Sequence, residues 1–330
     1  MPEQLSLADV EDLSCRRLVA AGASPLAAQS VARSIRAAER DGIRSHGLMY
    51  LPIYMEHLRC GKVVGHAAPV VTQPRPAAVV VDAANGFAHP AIDLGWPALT
   101  QAAQSQGVAA MTVSRSYNCG VLGHHAERLA EAGLIGLCMT HAPASIAPIG
   151  GSVPVIGTNP FALAVPDGQG GVALSIDQSA SVVAKSEVMM RARRGEPLAE
   201  GWALDASGQP TTSADDALKG SMVLSGGYKG FGIGLMVEVL ASAMAGANSS
   251  RMASPFSGPL GGPPGTGQCF VAFDPGAYSE GFGARMADLI TAVSSQDGAR
   301  LPGSRRRAAR ARTAADGVSV DDALMARILS

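Results

Sequence analysis

Val-Ala-Ala-Met-Thr-Val at residues 108–113 and Leu-Ile-Gly-Leu-Cys-Met-Thr at residues 134–140 enclose a segment with helical apolar spacing, residues 124–132. The two flanking runs are short and apolar, which is typical of buried β-strands. Upstream, residues 77–82 predict a further strand and residues 91–106 predict a helix. Because strands and helices alternate through this part of the chain, the sequence predicts a mixed α/β domain.

The two ends of the chain have a different, helical pattern. Ser6 and Asp9 are spaced as a capping box, and the first sixty residues carry three helical apolar stripes. The tail, residues 318–329, is amphipathic. We expect it to pack back on the amino-terminal helices.

Composition excludes several classes of function. Of the 330 residues, 47% are hydrophobic and 16% are charged, which is typical of a folded globular protein. The net charge of −1 gives no general attraction for nucleic acid or an anionic membrane, and 4% aromatic residues argue against a base-stacking surface. We therefore expect neither a nucleic-acid partner nor a membrane partner.

The most hydrophobic stretch, residues 230–247, is interrupted by Glu238 and predicts a buried core helix rather than a membrane span. Residues 1–4 carry neither the basic region nor the apolar core of a signal peptide. The five cysteines are scattered and form no C-x-x-C pair, which predicts reduced thiols in a cytoplasmic protein.

The common nucleotide and metal motifs are missing. Gly230-Phe-Gly232-Ile-Gly234 is not the G-x-G-x-x-G fingerprint of the Rossmann fold, and neither a P-loop nor an H-E-x-x-H motif occurs. His124 and His125 are adjacent, so on a helix they point about 100° apart and cannot bind one ion together. We interpret them as helix surface and predict no metal site.

Asp41-Gly42-Ile43-Arg44-Ser45-His46-Gly47 lies where one predicted helix ends and the next begins. A histidine there can be half buried and still reach a cleft, and its ordinary pKa suits proton transfer near neutral pH. Alone, the segment is more simply a capping turn. Asp177 ends a buried strand, where an unpaired carboxylate would be costly, and pairing with His46 would both satisfy the acid and orient the imidazole.

Two further polar segments carry candidate ligands. Gly157-Thr158-Asn159-Pro160 is a turn between apolar segments, and Thr158 could donate to a carboxylate or a carbonyl. Residues 300–312 contain six arginines, which predict a solvated segment, a nucleic-acid tail, or a turn that presents Arg300, Arg305 and Arg306 to phosphate.

Five motifs together give a resemblance to the type 2 malate/L-lactate dehydrogenase family. In order they are Ser45-His46-Gly47, Gly157-Thr158-Asn159-Pro160, Asp177 before a serine-rich helix start, Gly226-Gly227-Tyr228-Lys229-Gly230, and Leu301-Pro302-Gly303. The family also includes ureidoglycolate and sulfolactate dehydrogenases and the Δ1-piperideine-2-carboxylate/Δ1-pyrroline-2-carboxylate reductases. Each motif alone is weak, but the five extend over nearly the whole chain.

The resemblance implies a homodimer with a non-Rossmann α/β domain that binds NAD(P)H, residues 71–299. It also implies a helical domain built from both termini, residues 1–70 and 300–330. By the same resemblance Ser45, His46 and Asp177 form the proton relay, and Thr158 binds substrate. The implied cofactor contacts are Asn118, Cys119, Gly120, Val121, Leu122, Pro166, Asp167, Gly168, Tyr228, Lys229, Arg300, Gly303, Arg305 and Arg306.

Two positions depart from the pattern of many relatives. Tyr50 stands where an arginine commonly faces the substrate carboxylate, and Asn118 stands where a histidine is common. A tyrosine offers a hydrogen bond but no charge, so we expect the carboxylate anchor to move, to Arg44 or to backbone N–H groups. Without the second histidine, His46 is the main proton source.

The predicted reaction is hydride transfer from NADPH or NADH to the α-carbon of a small 2-oxo acid or cyclic 2-imino acid, with His46 as proton donor. A cyclic imine is partly protonated near neutral pH, which fits the missing second histidine modestly. Two alternatives stay open at this stage: a nucleotide-binding regulatory protein that lost substrate handling, and, more weakly, a nucleic-acid binder that uses the arginine-rich tail.

Overall fold

The computed structural model describes residues 3–330. Its helices are α1 (Leu7–Ala20), α2 (Pro25–Arg40), α3 (Leu51–Arg59), α4 (Ala88–Gln106), α5 (Leu122–Glu131), α6 (Lys185–Arg194), α7 (Ala214–Lys219), α8 (Tyr228–Val237), α9 (Phe282–Ser294), α10 (Ser304–Asp316) and α11 (Asp322–Leu329). Its strands are β1 (Glu3–Leu5), β2 (Val70–Arg75), β3 (Ala78–Asp82), β4 (Val108–Ser116), β5 (Ile135–Thr140), β6 (Phe161–Pro166), β7 (Val172–Gln178), β8 (Ala203–Leu204), β9 (Pro210–Thr211), β10 (Ser221–Met222), β11 (Thr266–Phe273) and β12 (Val318–Val320).

The centre of the molecule is a seven-stranded sheet in the order β2-β3-β4-β11-β5-β6-β7. Only β3 and β4 pair in parallel, and α4 forms the crossover between them. The two quoted runs of the sequence are β4 and β5, and β11 lies between them, antiparallel to both. The mixed α/β fold is thus confirmed, although most of the sheet is antiparallel.

One face of β4 and β5 is fully buried and the other is partly covered, which explains their continuous apolar character. Met111, Val113, Cys138 and Phe270 are fully buried in one hydrophobic cluster with residues of α4 and α5. This cluster fixes α5 against the sheet and so places the loop before α5 at the edge of the site described below.

Residues from both chain ends form a second hydrophobic cluster. β1 pairs with β12, and the Ser6–Asp9 capping box begins α1 as predicted. Leu18, Ile35, Leu51 and Ile328 are buried together in this cluster. The predicted return of the tail to the amino-terminal helices is therefore confirmed.

A third cluster is built around β8, β9 and β10 together with α6 and α7. Between α6 and β10 the chain forms two short strands, β8 and β9, and the helix α7. The division into residues 1–70 with 300–330 and residues 71–299 stays a prediction, because this third cluster adds a subdivision that the sequence did not indicate.

The prediction of a buried helix at residues 230–247 is wrong for the single chain. α8 continues into a π-helical segment, Glu238–Ala243, and one face of the pair is open. Exposed apolar side chains there are Leu235, Met236, Val239 and Met244. Within the described residues, no helix combines the length and apolar character needed to cross a membrane.

Candidate active site

The turn that carries His46 is a 3₁₀ helix, Arg44–His46, directly after the carboxyl end of α2. Gly42 has a positive φ of 72°, which permits the sharp exit from the helix. The buried Glu39 carboxylate accepts a hydrogen bond of 2.7 Å from the Leu48 N–H. A Cβ at Gly47 would lie 2.1 Å from Glu39 Oε1, so only glycine allows this closure. The Glu39 carboxylate therefore fixes the position of the turn.

His46 is half-buried, and its ring packs parallel to that of Tyr50 with 6.5 Å between centroids. Its Nδ1 lies 3.0 Å from the Ser45 hydroxyl, whereas Nε2 has no hydrogen-bond partner among residues 3–330. Burial lowers the pKa of His46, the charge of Asp177 raises it, and His124 lowers it further. Nε2 is thus the nitrogen available to a substrate.

Asp177 lies at the end of β7, as predicted, but it does not hydrogen bond to His46 within the described chain. Its Oδ2 accepts from the Gly123 N–H at 3.0 Å and pairs with Arg306 at 3.0 Å. The expected direct Asp177–His46 pair is therefore wrong as a contact. The carboxylate acts on the imidazole through space, since its charge raises the pKa of His46.

The two departures from the family pattern touch each other. Asn118 Nδ2 donates to the Tyr50 hydroxyl at 3.2 Å, and Asn118 Oδ1 accepts from Tyr54 at 2.9 Å and from the Gly120 N–H at 3.2 Å. Burial raises the pKa of Tyr50 to about 12, which keeps the phenol neutral. A neutral hydrogen-bonding group therefore stands beside His46.

A second buried pair, Tyr117 and His57, was not predicted from the sequence and supports the positions of Tyr50 and Asn118. The fully buried Tyr117 hydroxyl bonds to His57 Nδ1, and His57 Nε2 lies 3.1 Å from the Gly258 carbonyl. The buried Lys62 ammonium donates to the same carbonyl at 3.1 Å. These contacts join α3, the Asn118 loop and the segment around residue 258; the sequence offers no spacing that would have revealed them.

Thr158 is half-buried, and its carbonyl accepts from the Ala180 N–H at 2.8 Å, just beyond β7. Its neighbour Asn159 is buried and donates to Glu238 at 2.9 Å. Glu238 also accepts from the Ser250 hydroxyl at 2.6 Å. Glu238, the charged residue that interrupts the apolar stretch at residues 230–247, therefore fixes the position of the turn that carries Thr158.

The side chain of Arg44, a candidate anchor for the substrate carboxylate, lines a cavity that does not include His46. Its guanidinium reaches the Ser319 carbonyl at 3.5 Å and lines a space of about 180 Å³ with Arg312 and Thr313. Since His46 does not line this space, the structure gives Arg44 no contact with the imidazole side of the turn.

The loop before α5 is only partly available to a cofactor. The side chains of Cys119, Val121 and Leu122 are 1%, 5% and 3% exposed, and those of Cys119 and Leu122 belong to the central hydrophobic cluster. Their predicted contacts can therefore be made only by backbone atoms. Asn118 and Gly120 are half-buried and open to the site.

Pro166-Asp167-Gly168 forms the turn between β6 and β7. The Asp167 carboxylate is engaged within that turn, accepting from the N–H groups of Gln169 and Gly171 at 2.7 and 2.9 Å. Asp177 lies five residues along β7 from the turn, which corresponds to about 16 Å of strand. The turn is thus at the opposite end of the hairpin from Asp177.

Tyr228 and Lys229 begin α8 and are exposed, with no side-chain cap on this helix. Arg300 and Arg305 are also exposed, and neither has a carboxylate partner among residues 3–330. Gly303 begins α10 with a φ of 83° and packs against β7, where a Cβ would lie 3.1 Å from the Ser175 carbonyl.

Arg306 pairs with Asp177 at 3.0 Å, whereas its Nη1 lies 3.6 Å from Glu127 and has no hydrogen-bond partner among residues 3–330, so its predicted phosphate contact stays a prediction. His124 is not surface, since its Nε2 lies 3.0 Å from the buried Asp41. His125 Nε2–H donates to the Cys119 carbonyl at 2.9 Å. Spacing could have indicated part of this, because His124 and Glu127, and Arg306 and Arg310, are each on one helix face.

In the described part of the chain, no three His, Cys, Asp or Glu side chains are grouped to hold a metal ion.

Comparison with known proteins places these features in a family. The malate/L-lactate dehydrogenase family model matches residues 5–329. The chain is 40% identical to a (2R)-3-sulfolactate dehydrogenase (NADP(+)) of Chromohalobacter salexigens, over 94% of this chain and 92% of that protein. It is also 40% identical to a Δ1-pyrroline-2-carboxylate reductase of Ancylobacter novellus, over 99% and 97%.

Among solved structures, the Δ1-piperideine-2-carboxylate reductase of Pseudomonas syringae superposes with a TM-score of 0.92 at 34% identity, covering 99% of this chain and 98% of that one. The chain therefore belongs to the malate/L-lactate dehydrogenase family, as its five motifs predicted. It is an NAD(P)-dependent oxidoreductase.

Proposed function

We propose that the protein reduces a small 2-oxo acid or cyclic 2-imino acid with NADPH or NADH, and that His46 supplies the proton. The observation that carries this proposal is the arrangement of His46, with Nδ1 on Ser45, Nε2 free, and the charge of Asp177 acting on the ring. A half-buried imidazole with one free nitrogen is suited to general acid–base catalysis.

Exposed cationic and backbone donors fit the phosphates of the cofactor. Lys229 lies at the uncapped amino end of α8, behind Gly226 and Gly227, which have positive φ angles and open space around them. Unpaired N–H groups at a helix start and a nearby ammonium favour anions. Arg300 and Arg305 supply further guanidinium groups. We assign these residues to the cofactor phosphates, and the backbone of Asn118 and Gly120 to its other end.

The bound cofactor supplies a hydride to the α-carbon, while the protein supplies the proton to the carbonyl oxygen or imine nitrogen. In the imidazolium form, His46 Nδ1–H donates to the Ser45 hydroxyl and Nε2–H faces the substrate. After the Nε2 proton is transferred, the neutral ring keeps its Nδ1–H, which still donates to the Ser45 hydroxyl, so Ser45 holds the ring in both states. The Asp177 carboxylate favours the imidazolium before the transfer.

The neutral environment of Tyr50 bears on the substrate. The Tyr50 hydroxyl donates to the Phe256 carbonyl at 3.4 Å, and its phenol carries no charge because burial raises its pKa to about 12. A protonated cyclic imine brings its own proton and places a ring against the Tyr50 face, which favours this class modestly. Two of the relatives named above reduce such imines and one acts on sulfolactate, so both classes are retained.

Three wider features complete the proposal. The apolar face of α8 is exposed in the single chain, which supports a homodimer that covers it. The five cysteines are unpaired, as in proteins of a reducing cytoplasm. The clusters at the chain ends and at the central sheet support a helical domain and a cofactor domain.

A substrate panel tests the proposal. NADPH and NADH oxidation would be measured with pyruvate, oxaloacetate, sulfopyruvate, Δ1-piperideine-2-carboxylate and Δ1-pyrroline-2-carboxylate, with the His46→Gln variant as blank. We expect turnover with at least one compound and a preference for the cyclic imines. Cofactor binding without turnover of any compound would contradict the reaction and favour a regulatory nucleotide-binding role.

A further inference from the structure

A continuous chain of charged side chains joins the turn of His46 to Asp177. Asp41, which follows α2 and precedes that turn, has a completely buried side chain that accepts two hydrogen bonds of 2.7 Å from Arg310. Arg310 also reaches Glu127 at 2.5 Å, and Arg306 lies 3.6 Å from Glu127 and 3.0 Å from Asp177. We call Asp41, Arg310, Glu127, Arg306 and Asp177 the charge network.

The network is largely removed from water, so its charges are weakly screened. The side chains of Glu127, Arg306 and Asp177 are 7%, 16% and 16% exposed. Glu127 is held in place by the Ser175 hydroxyl at 2.9 Å. In such surroundings one added or removed charge acts over several ångströms.

At Gly123 the backbone of α5 leaves room for the Arg306 guanidinium. A Cβ at Gly123 would lie 2.4 Å from Arg306 Nη1 and 2.6 Å from Asp177 Oδ2, so a larger residue would disrupt the pair. The Gly123 N–H itself donates to that carboxylate oxygen. The Asp177 carboxylate is thus fixed by one backbone donor and one guanidinium, while its charge still acts on His46.

We propose that Arg306 and Glu127 are positioning residues that act through Asp177, fixing its carboxylate and setting how much of its negative charge the His46 ring experiences. This inference rests on the proposed acid role of His46. Arg306 neutralises part of the Asp177 charge, and Glu127 in turn neutralises part of the Arg306 charge. The two residues therefore have opposite effects on the imidazolium.

Other groups that face His46 are distinguished by their position. Ser45 and Tyr50 lie on its own segment and are neutral, Asp177 faces it from β7, and His124 faces it from α5. His124 is bound to Asp41 at the far end of the network. Substitutions of Arg306 and Glu127 leave the chemical identity of all four groups unchanged.

The test is an NMR titration of His46 in the full-length protein, with and without NADPH. The resonance is assigned by its loss in His46→Gln. Arg306→Met should raise the pKa of His46 by roughly one unit, because the Asp177 charge is then unopposed, and Glu127→Gln should lower it by a similar amount. Arg306→Lys, which keeps the charge, should stay near the wild-type pKa. Arg307→Met, an exposed neighbour on α10, should leave it unchanged.

Shifts of the same sign in Arg306→Met and Glu127→Gln, or no shift in either, would overturn the inference. An unchanged His46 pKa with a large increase in the Kd of NADPH for Arg306→Met would instead make Arg306 a phosphate ligand. The pH profile of kcat/KM separates the two levels of the account. If the NMR pKa moves as expected but the profile does not, the network stands and the acid role of His46 fails.

Discussion

Asn118 Nδ2 donates a hydrogen bond of 3.2 Å to the hydroxyl of Tyr50, so the two positions that depart from the family pattern form one unit. The same amide oxygen accepts from Tyr54 and from the Gly120 N–H. A change at either position therefore alters the hydrogen bonds of both side chains. Together the two side chains form a neutral, hydrogen-bonded wall beside His46.

The Tyr50–Asn118 contact predicts non-additive kinetics. Tyr50→Phe leaves the Asn118 amide without its acceptor, and Asn118→Ala leaves the Tyr50 hydroxyl without its donor, so the double variant loses little more than either single one. We expect a coupling energy of about 1 kcal/mol in kcat/KM from a double-mutant cycle. Additive losses would show that the two side chains act independently. Tyr278→Phe, at an exposed tyrosine, is the matched control.

Lys229 should contribute to cofactor affinity. Its ammonium is exposed at the start of α8, and hydrogen bonds to charged groups contribute about 1.5–3 kcal/mol, so Lys229→Ala should raise the Kd of NADPH at least about tenfold. Fluorescence titration of bound NADPH measures this. Lys219→Ala, at an exposed lysine paired with Asp216 on α7, should leave the Kd unchanged. Equal affinity of the Lys229 variant and wild type would remove this residue from the cofactor site.

His89 should make the fold sensitive to acid. The residue is 4% exposed, neither ring nitrogen has a partner among residues 3–330, and burial lowers its pKa to about 3, with His125 adding to the effect. Because the folded pKa lies below the unfolded value of 6.5, the neutral ring stabilises the protein fully above pH 6.5. That stability is lost as the pH falls towards 3, by about 2 kcal/mol at pH 5.

Urea unfolding between pH 7 and pH 5 measures the His89 effect. The free energy of unfolding should fall less steeply in His89→Gln than in wild type, since the amide does not titrate. His66→Gln, at an exposed histidine, should follow the wild-type curve. Parallel curves for the His89 variant and wild type would contradict the prediction.

The exposed face of α8 should be covered by a second copy. Val239 is 58% exposed between Leu235, Met236 and Met244, and a carboxylate there would be buried in a dimer. Val239→Asp should therefore halve the mass measured by light scattering, whereas Leu26→Asp, at a 69% exposed leucine of α2, should not. A monomeric wild-type protein would contradict the proposed homodimer.

The sequence predicted individual strands better than it predicted which strands lie side by side in the sheet. The runs at residues 108–113 and 134–140 were recognisable as strands because one face of each is buried and the other is partly covered. Nothing local showed that β11, more than a hundred residues later, lies between them. The helix at residues 230–247 was misjudged because an apolar face looks the same whether its own core or another copy covers it.

The sequence proposed residues for the site but not the contacts that they make. His46 was proposed because it lies in a turn, and Asp177 because it lies at the end of a strand. Neither pattern indicates the direction of the side chain. Arg306 was expected on a phosphate because arginines in a run suggest an exposed segment. In the fold the same helix packs against β7, and its inward arginines meet Asp177, Glu127 and Asp41.

The central claim is that His46 protonates the substrate, and the most direct measurement is turnover of His46→Gln with the best compound of the panel. We predict a loss in kcat of about 10²-fold or more, since that is the usual contribution of a general acid, with the Kd of NADPH unchanged. Near-normal turnover in this variant, with the cofactor bound as in wild type, would contradict it.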